Sequence, residues 1–166
     1  AFCVQMGKVY RSGYGMHVSN GILYNHESPR RGENFVTQKI IRGAASIAQG
    51  KTEFLELGNL DIERDWGYAP DYVQGMWMML QQDQADDYIL ATRKTHKLSD
   101  FLQLSFDYFG LDHQKHIRIN PKFVRPNEPV QLCGDSSKAQ NILGWKPSFS
   151  FEKIIKSMCE AAEKSN

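Results

Sequence analysis

Three groups of polar side chains stand where short apolar runs end. Asn25, His26, Arg30 and Arg31 close and follow "GILYN", Asn59, Arg64 and Asp65 close and follow "TEFLELGN", and Arg125 and Glu128 sit in the proline-bracketed loop "FVRPNEP". An arginine fork matches the oxygens of a phosphate, and an acceptor such as Glu128 suits ribose hydroxyls or a base edge. In open α/β sheets ligands bind beyond the carboxyl ends of strands, so the three groups could converge on one crevice. Their chemistry points to a nucleotide carrying phosphate. A blander reading pairs Arg64 with Asp65 at the surface and makes Arg125 a helix cap. On spacing alone that second reading holds a slight edge.

Other chemistries leave little trace. The chain has no glycine fingerprint opening a βαβ unit, no phosphate loop with lysine and serine, and no zinc helix motif. "HQKH" sets His113 and His116 three apart but in a polar loop without further ligands, so no metal site is expected. His17 and His96 read as ordinary strand or loop residues. Cys3, Cys133 and Cys159 are odd in number and widely spaced, which fits reduced thiols and a cytoplasmic setting. Cys159 falls in the apolar stripe of a helix and is expected to be core.

With 166 residues and a formal net charge of +1, the chain suits one domain or a domain fragment and carries no basic footprint for nucleic acid or anionic membrane. No apolar run approaches the ~20 residues of a membrane span. The start, "AFCVQMGKVYRSGYG", lacks the apolar core of a signal peptide.

The elements that must position the polar groups alternate between short apolar runs and helical periodicity, the mark of an α/β architecture. "MHVSNGILYN" reads as a buried strand followed by a charged loop. Asn34 is the expected N-cap of a helix turning Phe35, Ile40, Ile41, Ala44, Ile47 and Ala48 inward and ending at Gly50. "TEFLELGN", "DYIL" and "HIRIN" read as further strands. Pro70 suits the first turn of a helix with Tyr72, Val73, Met76, Trp77 and Leu80 on one face, and the residues of "MWMML" are expected to pack. Ser99 is the expected cap of "DFLQLSFDYFG", which stops at Gly110. Asp135 or Ser136 opens a short helix ending at "LGW", and a final helix from near Ser150 buries Phe151, Ile154, Ile155, Met158, Cys159 and Ala162.

Three segments, "NGILYNHESPRRGENFVTQKI", "LGNLDIERDWGYAPDYV" and "GDSSKAQNILGWKPS", resemble the GDP-mannose 4,6-dehydratase family, extended short-chain dehydrogenase/reductases of the Rossmann superfamily. The third is shared more widely among nucleotide-sugar enzymes. The resemblance covers nearly the whole chain. It implies NADP-assisted conversion of GDP-mannose to GDP-4-keto-6-deoxymannose, a cytoplasmic lyase reaction leading to GDP-fucose, in a full-length enzyme that is a homo-oligomer. By similarity Asn25 lies against the substrate diphosphate, Lys39, Arg64, Arg125 and Glu128 hold the GDP part, and His26 and Arg31 touch the cofactor. Glu27 and Arg30 are left as structural or interface residues.

The departures are as informative. The family's glycine-rich fingerprint, its threonine and glutamate, and its tyrosine and lysine four apart are not in these residues, so no catalytic residue is assigned. Alignment of "GYGMHVSNGIL" places Ala1 just after the family's catalytic lysine, which makes "AFCVQMGKVYRSGYG" the remainder of that helix. Gly7 sits in it as a poor helix former, at a cost of about 1 kcal/mol relative to alanine. The fold expected for residues 1–166 is therefore α/β: the C-terminal strands and substrate-binding region of a Rossmann-like fold, without the cofactor-binding half and inactive alone. Two other readings stand beside this one: a different GDP-sugar epimerase or reductase of the superfamily, or a non-catalytic GDP-sugar-binding module.

Overall fold

The computed structural model describes residues 2–124, 127 and 129–164. Its first element, α1 (Phe2–Tyr14), is the helix expected from the start of the chain. Gly7 is buried within it for a reason the sequence did not disclose. A Cβ there would come within 2.6 Å of the Asn20 amide. Asn20 Nδ2 donates to Asp87 Oδ1 at 2.6 Å and reaches the Val4 carbonyl at 3.4 Å, and Arg11 pairs with the same aspartate. Close approach of a partly buried polar bridge, not helix propensity, selects glycine here.

The apolar run after α1 forms β1 (Gly21–Leu23), and the strand then resumes as β2 (Asn25–Glu27). Thus His26 and Glu27 are strand residues where a charged loop was expected, the strand having been expected to end at Asn25. Pairing with β5 (Trp66–Tyr68) in parallel register, Asn25 opposite Trp66 and Glu27 opposite Tyr68, supplies the backbone partners that override their low strand propensity. β1 is also less buried than its composition suggests, with Ile22 exposed. It pairs in parallel with β6 (Tyr88–Leu90), and β3 (Leu55–Leu57) pairs in parallel with β8 (Ile117–Ile119). A three-stranded patch sets β4 (Glu63–Arg64) between antiparallel β7 (His96–Lys97) and parallel β9 (Gln131–Leu132). The architecture is mixed α/β with predominantly parallel pairing, as the alternating pattern predicted.

Helix α2 (Val36–Ala48) begins after Phe35, with no side-chain cap, so Asn34 does not cap it. Ile40, Ile41, Ala44 and Ile47 are buried as expected, but Phe35 and Ala48 are exposed at the two ends. Gly50 ends it at φ 67. Helix α4 (Leu98–Tyr108) likewise starts before Ser99. Its first amides, those of Leu98 and Ser99, donate to the carbonyls of Ile62 and Leu60, which removes the need for a side-chain cap. The short α5 (His113–His116) is capped by Asp112, and α6 (Phe151–Lys164) closes the described chain. The apolar stripes of α2, α4 and α6 meet in one core, in which Trp66 packs between Phe101 and Phe151. Cys159 is fully buried in it, and burial pushes its thiol up to about 12.

A second core joins α3 (Ala69–Leu80) to β6 and to a π-helical turn, Ala139–Leu143. Here one expectation fails. Tyr72 and Met79 are buried, whereas Val73, Met76, Trp77 and Leu80 are exposed. The helix turns Tyr72, Gly75 and Met79 toward Leu90 and Trp145, so its periodicity was real but the covered face lies to one side of the apolar stripe.

Candidate functional site

A cavity of about 680 Å³ opens among β2, the start of α2, the loop after β3 and the β4–β5 segment. Side chains alternate across a strand, so Asn25 and Glu27 share one face of β2 and both line the cavity, while His26 faces away. Arg31 enters from the loop after β2, Lys39 from the first turns of α2, and Arg64 from β4. Phe35, Trp66 and Phe123 supply apolar wall, and Asn59 and Lys122 polar rim. Two of the three sequence clusters therefore meet in one crevice. Of the third, Arg125 and Glu128 lie outside the described residues.

Lys39 and Arg64 both donate to backbone carbonyls. Lys39 Nζ donates to the Glu56 carbonyl at 2.7 Å and stands 4.0 Å from the centroid of the Phe123 ring. Arg64, only 7% exposed, donates through Nη1 to the carbonyls of Glu63 at 2.7 Å and Pro129 at 2.9 Å. The alternative pairing of Arg64 with Asp65 is not found. Asp65 is fully buried and accepts from the Thr92 amide at 2.8 Å, the Thr92 hydroxyl at 2.6 Å, the Arg93 amide at 3.0 Å and the Gly134 amide at 3.3 Å. It ties together two loops, one of which holds Arg93 at φ 65.

Arg31 is fixed on three sides. Its Cζ lies 3.5 Å from the centroid of Phe35, Nη1 donates to the His26 carbonyl at 3.2 Å, and Nε lies 3.5 Å from Glu27 Oε2. Glu27 also accepts a 2.6 Å hydrogen bond from Thr37 Oγ1. Burial raises its carboxyl above the ordinary glutamate value, opposed by the Thr37 hydrogen bond and by the positive charge of Arg31.

His26 lies apart from this group. Its Nδ1 is 2.8 Å from the Tyr24 carbonyl, which can only accept, so Nδ1 carries the proton and Nε2 is left as the acceptor of the neutral ring. The ring packs 5.1 Å from that of Tyr72. Of the two residues that the resemblance assigns to the cofactor, Arg31 lines the cavity from the loop after β2 and His26 does not line it. Sequence reading also passed over Glu27, Thr37, Phe35 and Phe123 as parts of the site. Period-two spacing from Asn25 was the one signal that could have found Glu27; Thr37 had none, because its partner is ten residues away on another element.

Among the described residues no group of three or more His, Cys, Asp or Glu could hold a metal ion, and no helix is long and apolar enough to cross a membrane.

A sequence model of the family described as GDP-mannose 4,6 dehydratase matches residues 1–158. GDP-mannose 4,6 dehydratase 1 of Arabidopsis thaliana is 52% identical over 151 residues, an alignment that covers 91% of this chain and 42% of that protein. The chain therefore spans less than half the length of such relatives. Among solved structures, RMD from Pseudomonas aeruginosa complexed with NADPH superposes with a TM-score of 0.87 at 20% identity, covering 98% of this chain and 53% of that one. The dTDP-glucose 4,6-dehydratase of Bacillus anthracis in complex with NAD gives 0.83 at 15% identity, covering 97% and 49%. At those identities the likeness is one of fold.

Proposed function

The chain belongs to the GDP-mannose 4,6-dehydratase family, and on that premise we propose that its cavity holds the GDP part of GDP-mannose. In the whole protein the bound sugar is dehydrated to GDP-4-keto-6-deoxymannose. The observation that carries this reading is the meeting of Arg31, Lys39 and Arg64 with Asn25 in one crevice of about 680 Å³. Arg31, Lys39 and Arg64 place three cationic side chains around the space, with Glu27 beside Arg31. A diphosphate gains charge-assisted hydrogen bonds there that a neutral ligand does not. Asn25 offers an amide beside them, and Phe123 a ring against which a flat base can lie. By resemblance Arg125 and Glu128 complete the GDP contacts.

The same reading gives the protein a nicotinamide cofactor, NADP, in keeping with neighbours of this fold solved with NADPH or NAD. The residues present fit part of such a group: Arg31 is a half-held cation for a phosphate, and His26 offers Nε2 as an acceptor. A bound nicotinamide supplies hydride acceptance and return. What this chain supplies is an anchored diphosphate, an oriented imidazole and a partly apolar wall that limits water. Residues 1–166 are on this account the substrate-binding portion of a cytoplasmic, homo-oligomeric lyase.

Calorimetric titration of the chain with GDP, UDP and inorganic phosphate tests the proposal. Saturable binding of GDP, tighter than that of UDP by at least about threefold, supports it. Equal affinities for GDP and phosphate would show that the crevice recognises charge alone.

A further inference from the structure

Glu27 is 1% exposed, lies in a parallel strand at the wall of the cavity, and has no part in the proposed function. A fully buried carboxylate is costly, and a neutral side chain of the same shape fills such a position at less expense. Its surroundings suggest what the charge is for. Thr37 Oγ1 donates to Oε2 and ties the carboxylate to the first turn of α2. The other neighbour is Arg31, whose Nε is buried, carries no hydrogen bond, and stands at 3.5 Å from the same oxygen. That distance exceeds a formed N–H···O bond, so the guanidinium is steered by the charge without being consumed by it. With its face on Phe35 and Nη1 on the His26 carbonyl, Arg31 keeps its other terminal N–H groups for something else in the cavity it lines.

We propose that Glu27 is a positioning residue: its carboxylate, held by Thr37, orients the Arg31 guanidinium to receive a nucleotide phosphate in the cavity. This rests on the nucleotide reading given above. Two sources of that phosphate share the chemistry, the diphosphate of GDP and the phosphates of a nicotinamide dinucleotide.

The test is a double-mutant cycle on the 166-residue chain. Wild type, Glu27→Gln, Arg31→Ala and the combined variant are titrated separately with GDP and with NADPH, and each is melted. Glu27→Gln keeps shape and removes charge, so it is expected to melt at or above the wild-type temperature while affinity for the ligand falls about five- to tenfold. Arg31→Ala is expected to lose at least as much, and the combined variant no more than Arg31→Ala alone, because Glu27 acts through the arginine. A loss confined to one ligand identifies the source of the phosphate. Wild-type affinity in Glu27→Gln, or losses that multiply in the combined variant, would overturn the inference while leaving the nucleotide reading intact. So would a melting temperature lowered by more than about 5 °C in Glu27→Gln, a shift of ~1 kcal/mol or more, which would make the side chain structural. Failure of the wild type to bind either ligand would overturn the nucleotide reading and this inference with it.

Discussion

The hydroxyl of Thr37 donates a 2.6 Å hydrogen bond to Oε2 of Glu27, so the first turn of α2 is tied to β2 through a buried side-chain pair. The loop of residues 28–35, which carries Arg31, is closed at its two ends by this bond. Fixing that loop is what allows a cation ten residues or fewer from each anchor to hold a defined position beside the cavity.

Thr37→Val removes the donor and leaves the carboxylate buried with only Arg31 beside it. The expected loss of stability is about 1–3 kcal/mol, the cost of an unsatisfied buried acceptor. Urea unfolding followed by circular dichroism checks it. A loss within about 0.3 kcal/mol of zero would show that Glu27 is satisfied by other means.

Glycines at two positions of α1 should respond in opposite directions. Gly7→Ala places a methyl 2.6 Å from an Asn20 amide that is itself bound to Asp87 and Val4, and is expected to destabilise the chain despite alanine's higher helix propensity. Gly13→Ala meets nothing within 4 Å and is expected to stabilise it, by up to about 1 kcal/mol. Thermal melts of both variants decide the matter, and a gain in both would remove the argument from the Asn20 bridge.

His96 stacks on Phe151 with ring centroids 3.9 Å apart and planes inclined by 5°. Desolvation lowers its pKa below the ordinary 6.5, with Lys94 adding to the effect and Glu152 and Asp100 opposing it. A depressed folded value means that the neutral ring is the form the fold prefers. Its stabilisation is present above about pH 6.5 and is lost as pH falls through the lower, folded value. The stability of wild type relative to His96→Phe should therefore decline on acidification from pH 7.5 through 6.5 and below. Measured by denaturant titration at each pH, a constant difference would contradict the assignment.

Much of this arrangement was legible in the sequence, and the parts that were not share a cause. Apolar runs located β1, β3 and β6, and glycines at positive φ ended helices where Gly50 and Gly110 predicted. His26 and Glu27 escaped because polar residues become a strand only when a distant segment, Trp66–Tyr68, offers its backbone. The cap expected at Ser99 failed for the same kind of reason: carbonyls from Leu60 and Ile62 had already claimed the helix amides. On α3, periodicity marked an apolar stripe but could not say which side the chain would cover. Arg31 and Arg64 were found by residue type and by resemblance, and Lys39 by resemblance alone, while the Glu27–Thr37 pair beneath them depends on a contact between elements that no local pattern records.

The central claim is that the crevice of Asn25, Arg31, Lys39 and Arg64 is where the nucleotide diphosphate sits. The most direct measurement is the calorimetric affinity for GDP of Lys39→Ala and Arg64→Ala beside Arg42→Ala, whose arginine lies on α2 outside the cavity and pairs with Glu33. Loss of a charge-assisted contact corresponds to about 1.5–3 kcal/mol, so the first two variants should bind GDP more than tenfold less tightly while Arg42→Ala binds as wild type. Equal affinities across all three variants would contradict the claim.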